Sequence, residues 1–301
     1  MKRREFLRKT AIMGAMGLVA PAPRLYGATI EGGYEGRLLV QLQMDGAWDV
    51  SSYCDPKVNQ PGERVITNWS SSNEIQLAGN IPFAPFANNA DFFNKYYQDI
   101  LVINGVDAQT NAHTTGVTYN WSGRNSNGYP TLTAMFAANN APDQPLAYIN
   151  YGGFSQTGNL IRFSRLDDVD GLNQLLRPNR NDESSTFRRP EMMATLRAHQ
   201  EARIARLLDD PTLIPRQVDT MEALEAALAN KGSLAEFDNY IPDDILPEEQ
   251  VNRFQTSSLG RQVQLTVAGF ESGLACAADL WLGGFDTHTA HDELHEPLLQ
   301  N

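Results

Sequence analysis

Three short apolar segments of the chain each run directly into a polar loop. They are residues 37–44, 100–103 and 278–282. Runs of this length that are bounded by Gly and Asp predict buried strands of a parallel sheet. Helical patterns lie in the longer stretches between them. We therefore predict an α/β fold, in which a mostly parallel sheet is flanked by helices.

The loops that follow these segments carry Asp and His residues. Asp49 follows the first segment, His113 comes after the second, and Asp286 and His288 follow the third. In open parallel sheets, ligands bind outside the carboxyl ends of the strands. These four side chains are therefore the first candidates for a shared functional site.

Several further elements are predicted from periodicity and composition. Apolar residues at helical spacing predict helices over residues 190–208, 220–229 and 254–272. The block from 167 to 252 is highly charged, punctuated by Pro and mostly helical, so we interpret it as a helical insertion between strands. Residues 59–89 are rich in Asn, Ser, Pro and Gly, which predicts an irregular loop.

The first 28 residues differ in charge from the rest of the chain. They hold six of the 24 basic residues but one of the 36 acidic residues, and Arg3, Arg4, Phe6 and Leu7 precede a short uncharged stretch. This pattern resembles a twin-arginine export signal, although an ordinary basic start before an apolar first helix stays open. The resemblance implies recognition by the twin-arginine translocase and a periplasmic or extracellular location.

The charge and hydropathy of the chain exclude some classes of function. The net charge is −12, and an acidic surface repels phosphate backbones, so we expect no nucleic-acid partner. No segment reaches the ~18 consecutive apolar residues of a membrane helix, so we predict no stable membrane span.

An oxidising compartment would permit a disulfide between Cys54 and Cys276, but the apolar surroundings of Cys276 favour a buried free thiol.

Residues 284–295 contain three of the five histidines of the chain. The carboxylate of Asp286 and the imidazole of His288 are suitable ligands for Zn or another divalent ion.

Earlier in the chain, Asp45 and Asp49 flank a turn that contains Gly46. Each of these two carboxylates either binds a ligand or stabilises the turn by bonding to the backbone.

Residues 291–295 begin and end with His, as a metalloprotease helix does. That motif needs Glu directly after the first His or directly before the second, whereas Asp292 and Leu294 stand there. A zinc metalloprotease is therefore a remote alternative. We expect His291 and His295 to be solvated residues on the surface of a helix.

Four features together resemble one exported bacterial family, called domain of unknown function 1501, which is related to the alkaline phosphatase and sulfatase superfamily. They are the twin-arginine start, residues 46–49, His113 followed by residues 121–123, and the Gly-aromatic-Asp-Thr-His motif within residues 283–288. The resemblance implies an alkaline phosphatase-like fold. It also implies metal-dependent hydrolysis of phosphate or sulfate esters.

The family's metal ligands can be carried over to three positions. The resemblance implies that Asp49, Asp286 and His288 bind a divalent metal ion, with zinc as the first choice. Asp45 competes with Asp49, because related enzymes often place the ligand directly after the strand. The substrate would be a small anionic ester.

The catalytic side of the site is less complete. The resemblance implies that His113 holds or attacks the substrate together with a hydroxyl group. Ala112 stands where the family has Ser, so the nucleophile is left open between Thr110 and Thr114.

The end of the chain bears on the same resemblance. Family members have a late Asp-His-Gly segment and a further His on a late strand, and the sequence after residue 288 shows neither that segment nor a further strand pattern. We therefore expect residues 29–301 to be an incomplete domain that lacks late strands, with hydrolysis reduced or lost. The alternative function is a non-catalytic exported binding or surface-assembly protein on the same scaffold.

Overall fold

A computed structural model describes residues 32–166, 169–181, 184–229 and 231–300. The predicted export signal, residues 1–28, lies outside these ranges. The described strands are β1 (Leu39–Met44), β2 (Gln76–Ala78), β3 (Ile81–Phe83), β4 (Tyr148–Asn150), β5 (Glu249–Asn252), β6 (Gln255–Ser257) and β7 (Ala277–Leu282). The described helices are α1 (Asn89–Tyr96), α2 (His113–Ser122), α3 (Leu132–Asn140), α4 (Val169–Leu176), α5 (Pro190–Leu208), α6 (Pro215–Ala229), α7 (Lys231–Phe237), α8 (Leu259–Glu271) and α9 (His291–Gln300).

A three-stranded parallel sheet organises the fold. Its order is β1-β7-β4, and β1 pairs with β7 in register from Leu39 opposite Ala277 to Met44 opposite Leu282. The central strand β7 is buried almost throughout, as expected for a parallel strand covered on both faces. The predicted α/β class, with a parallel sheet flanked by helices, is confirmed.

The predicted helical block packs on one face of this sheet. Leu172 and Leu176 of α4 and Phe237 of α7 join Ile149 of β4 and Leu265 of α8 in one buried cluster. The core of the sheet therefore includes side chains from residues 167–252. No helix in the described ranges is long and apolar enough to cross a bilayer.

The strand predicted over residues 100–103 is wrong. This segment is outside every described strand, and Leu101 and Ile103 are 82% and 70% exposed. Ile100 and Val102 instead pack against the small cluster around Phe83. The apolar run is therefore used against a separate hairpin rather than in the sheet.

The helix boundaries follow the predictions in part. The helix over residues 190–208 is confirmed, whereas the one predicted over 220–229 begins at Pro215, a residue whose fixed φ suits the first turn. Residues 254–272 begin as strand β6, which pairs with β5, so α8 starts only at Leu259. The irregular segment 59–89 contains the short β2-β3 hairpin.

The two cysteines are both free. Cys276 is fully buried beside β7, and its Sγ lies 3.4 Å from the carbonyl oxygen of Ala147. The preference for a buried free thiol at this position is confirmed. Cys54 is half-buried.

A carboxylate is buried in the middle of the sheet. Asp279 of β7 accepts a hydrogen bond of 2.6 Å from the Thr133 hydroxyl, one of 3.3 Å from the Asn150 amide, and one from the Tyr148 hydroxyl. Burial raises the pKa of Asp279 to about 7, because the carboxylate is poorly solvated there. The hydrogen bonds from the three donors favour the carboxylate and lower the pKa, but burial has the larger effect.

Candidate functional site

The loops after β1 and β7 leave the sheet together. The Asp45 N–H donates to the Leu282 carbonyl at 2.8 Å, and the Phe285 N–H donates to the Asp45 carbonyl at 3.1 Å. Gly46 follows at φ +111°, and a Cβ on it would lie 2.3 Å from the backbone nitrogen of Asp286. Glycine is therefore required for these two loops to touch, and their contact places Asp286 at the edge of the sheet.

Three of the predicted site residues meet at this edge, and we call them the Asp286 cluster. The Asp286 Oδ2 lies 3.1 Å from the Nε2 of His288 and 3.5 Å from the Nε2 of His113. His113 is the first residue of α2, so a different element supplies the third side chain. The three side chains are 47%, 84% and 54% exposed in the order Asp286, His288 and His113, so solutes can reach them.

The Asp286 cluster has the donor chemistry of a metal site. One carboxylate and two imidazoles are common zinc ligands, and at about 2.1 Å from the ion neighbouring ligand atoms of a tetrahedron are about 3.4 Å apart. The observed separations of 3.1 and 3.5 Å are close to that value. Within the described ranges, however, no three His, Cys, Asp or Glu side chains already converge as a metal-binding group. The exposed rings of His113 and His288 would have to turn toward an ion.

Asp49 is held in a different set of contacts. Its Oδ1 accepts from the N–H and hydroxyl of Ser51 at 2.9 and 2.5 Å, and its Oδ2 accepts from the Ser52 hydroxyl at 2.6 Å. Burial opposes ionisation of Asp49, but these hydrogen bonds outweigh it and lower the pKa of the carboxyl group. Asp49 therefore caps the short turn Val50–Ser52 as a carboxylate.

Two further histidines, His291 and His295, lie beside Asp49. The Nε2 of His291 lies 3.2 Å from the Asp49 Oδ2, and its Nδ1 lies 2.5 Å from the hydroxyl oxygen of Thr287. We call Thr287, His291 and Asp49 the Thr287 cluster. It shares the loop that follows β7 with the Asp286 cluster, but its side-chain contacts are separate.

His295 lies beneath the Thr287 cluster. Its ring is fully buried, 4.6 Å from that of His291 between centroids, and its Nε2 accepts from the Asp49 N–H at 3.2 Å. Burial, followed by the neighbouring His291, lowers the pKa of His295 to about 4, so the ring is neutral at pH 7. This neutral ring, which also packs edge-on against Phe285, supports the backbone that carries Asp49.

The expectation that His291 and His295 are solvated is wrong for His295 and holds only in part for His291. His295 is fully buried, and the side chain of His291 is 36% exposed. Both rings contact Asp49 in the loop after β1, and Leu298 on the same helix lies in the buried cluster against which Met44 and Trp48 pack. The spacing of these three residues of α9, at i, i+4 and i+7, is the sequence signal that marks one buried face of a helix.

A cleft of about 310 Å³ opens beside the Asp286 cluster. Its walls are residues 41–48 and parts of 108–121, and Thr110 and His113 are among the lining residues. The Thr110 hydroxyl accepts from the Ala112 N–H at 3.1 Å, and Thr114 is exposed on α2. Of the two predicted nucleophiles, Thr110 is therefore the one that lines the cleft.

Comparisons with known proteins identified no relative of this chain. No family model, no curated protein and no solved structure matches the chain. The family resemblance of the motifs accordingly stays a prediction from the sequence.

Proposed function

We propose that this chain belongs to an exported, metal-dependent hydrolase of phosphate or sulfate esters with an alkaline phosphatase-like fold. The observation that carries the proposal is the meeting of Asp286, His288 and His113 at the carboxyl end of β7, beside an open cleft. The Gly-aromatic-Asp-Thr-His motif and the export-type start support the same class. In this proposal His113 takes the place of Asp49 among the ligands, because the Asp49 oxygens are already engaged.

The residues of the cleft have separable tasks in this proposal. A bound divalent ion would polarise the ester and lower the pKa of water. The Asp286 cluster would hold that ion, and the Thr110 hydroxyl would bond to the substrate from the cleft wall. The chain has a net charge of −12, and a bound cation would offset the repulsion between the Asp286 carboxylate and an anionic ester.

Zinc binding tests the proposal. Replacing Asp286 by Asn removes the charged ligand, so we expect Asp286→Asn to weaken zinc binding about 100-fold or more, since ligand shells are that sensitive. Isothermal titration of the full chain with zinc gives the affinity. Asp91→Asn is the matched control, because it makes the same chemical change at an exposed carboxylate of α1. Hydrolysis of p-nitrophenyl phosphate and p-nitrophenyl sulfate is followed in parallel.

Equal zinc affinities in the chain and in Asp286→Asn would contradict the proposal. A protein that neither binds zinc nor hydrolyses either ester would support the second candidate, a non-catalytic exported binding protein. That candidate is favoured by one observation, the lack of a preassembled metal-binding group within the described ranges.

Export is tested with the predicted signal. Because a twin-arginine pair is read by a receptor, we expect the double variant Arg3→Lys and Arg4→Lys to stay in the cytoplasm. Fractionation of expressing cells measures the distribution. Arg8→Lys is the control for loss of one arginine outside the pair. Undiminished delivery of the double variant to the periplasm would overturn the export proposal.

A further inference from the structure

The Thr287 cluster has the connectivity of a nucleophile, a base and an orienting carboxylate. We propose that Thr287 is a nucleophile for the hydrolysis of carboxylic esters, that His291 is its general base, and that Asp49 positions His291. This reaction uses side chains outside the Asp286 cluster. It therefore stands or falls independently of the proposed metal-dependent function.

The hydrogen bonds of His291 define the direction of proton transfer. An ionised carboxylate only accepts hydrogen bonds, so the bond to Asp49 requires the proton of the neutral imidazole on Nε2. The Nδ1 then carries a lone pair and accepts from the Thr287 hydroxyl at 2.5 Å. Nucleophile and base are thus already within hydrogen-bonding reach, which is the geometric requirement for an activated hydroxyl.

The surroundings hold this arrangement in place. Ser51 and Ser52 fix the Asp49 carboxylate by three hydrogen bonds, and the buried ring of His295 packs against His291. Thr287 itself is half-buried, between the exposed residues 286 and 288. The supporting groups Ser51, Ser52 and His295 are therefore buried, while Thr287 lies in a loop with exposed residues on both sides.

The reaction balances without a further reagent. The Thr287 oxygen bonds to the ester carbonyl carbon while its proton moves to the Nδ1 of His291. The bond to the leaving oxygen then breaks, and His291 returns the proton to the departing alcohol. Water attacks the acyl-threonine, passes a proton through His291 to the Thr287 oxygen, and releases the carboxylic acid.

Acylation by p-nitrophenyl acetate tests the proposal. The full chain is mixed with the ester in the presence of a metal chelator, p-nitrophenolate release is followed in time, and the acetylated residue is located by peptide mass spectrometry. We expect a burst of one equivalent and an acetyl group on Thr287. Thr287→Val should lose both, and His291→Gln should slow the burst about 100-fold or more.

Two controls separate chemistry from folding. Thr289→Val changes an exposed threonine two residues away and should keep the full burst. Asp49→Asn should slow the burst but leave its amplitude at one equivalent, because His291 would be less well positioned in a protein that still folds. A role of Asp49 limited to folding would instead reduce the amplitude. Thermal unfolding is measured for each variant. An acetyl group on another residue, a burst that survives Thr287→Val, or no acylation of the folded chain would overturn the proposal.

Discussion

Alanine in place of Gly46 is expected to lower the free energy of unfolding by roughly 3 kcal/mol or more. At φ +111° a side chain strains the backbone, at a cost of about 1–3 kcal/mol. The new Cβ would also lie 2.3 Å from the backbone nitrogen of Asp286, and overpacking of this kind costs about 1–3 kcal/mol. Because the contact with Asp286 would be pushed apart, zinc binding should fall in the same variant.

Gly62→Ala is the matched control for this variant. Gly62 has φ +85°, but its Cβ would meet nothing within 4 Å, so the substitution adds backbone strain without a clash. Urea unfolding of both variants gives the two losses of stability. We expect Gly46→Ala to be the more damaging by about 1–3 kcal/mol. Equal losses would show that the two loops do not depend on their close approach.

Asp279→Asn is expected to make the protein sensitive to acid between pH 6.5 and 4. Because the pKa of Asp279 is raised to about 7, the folded protein binds this proton at a higher pH than the unfolded chain does. Asp279 therefore adds stability as the pH falls from 7 toward 4. The pKa of His295, lowered to about 4, has the opposite effect. Below pH 6.5 the His295 side chain of the unfolded chain binds a proton while that of the folded protein stays neutral, so stability falls. The two contributions nearly cancel in the unaltered chain.

Removing the carboxylate leaves the His295 contribution uncompensated. At about 1.4 kcal/mol for each unit of pKa shift, the stability of Asp279→Asn should fall by roughly 3 kcal/mol between pH 6.5 and 4. Urea unfolding at a series of pH values measures this slope, with Asp91→Asn as the control for loss of an exposed carboxylate. A slope in Asp279→Asn no steeper than in the unaltered chain would contradict the assignment of these two buried groups.

The parts of the fold that could be predicted from sequence are those whose local pattern matches their final packing. Strands β1 and β7 are mostly apolar segments that end in polar loops, and the sequence pattern predicts both. Strand β4 has three residues, too few for a pattern, and its position depends on pairing with β7. Residues 100–103 have the pattern of a strand, but tertiary packing places them against the hairpin near Phe83.

The candidate site divides in the same way. The sequence motif identified Asp286 and His288, and the position of His113 after an apolar segment added the third member of the cluster. The Thr287 cluster was missed, because Asp49 and His291 are 242 positions apart and only the fold brings them together. Thr287 was overlooked within the motif, since its bond to His291 appears only once α9 begins at that residue.

The position of bound zinc tests the central claim most directly. Crystals of the full chain grown with zinc, with diffraction recorded at the zinc absorption edge, would locate the ion by its anomalous signal. We expect one peak about 2.0–2.2 Å from the Asp286 carboxylate and from the Nε2 atoms of His288 and His113. A zinc peak elsewhere, or no peak beside Asp286, would contradict the assignment of this edge of the sheet as the metal-dependent site.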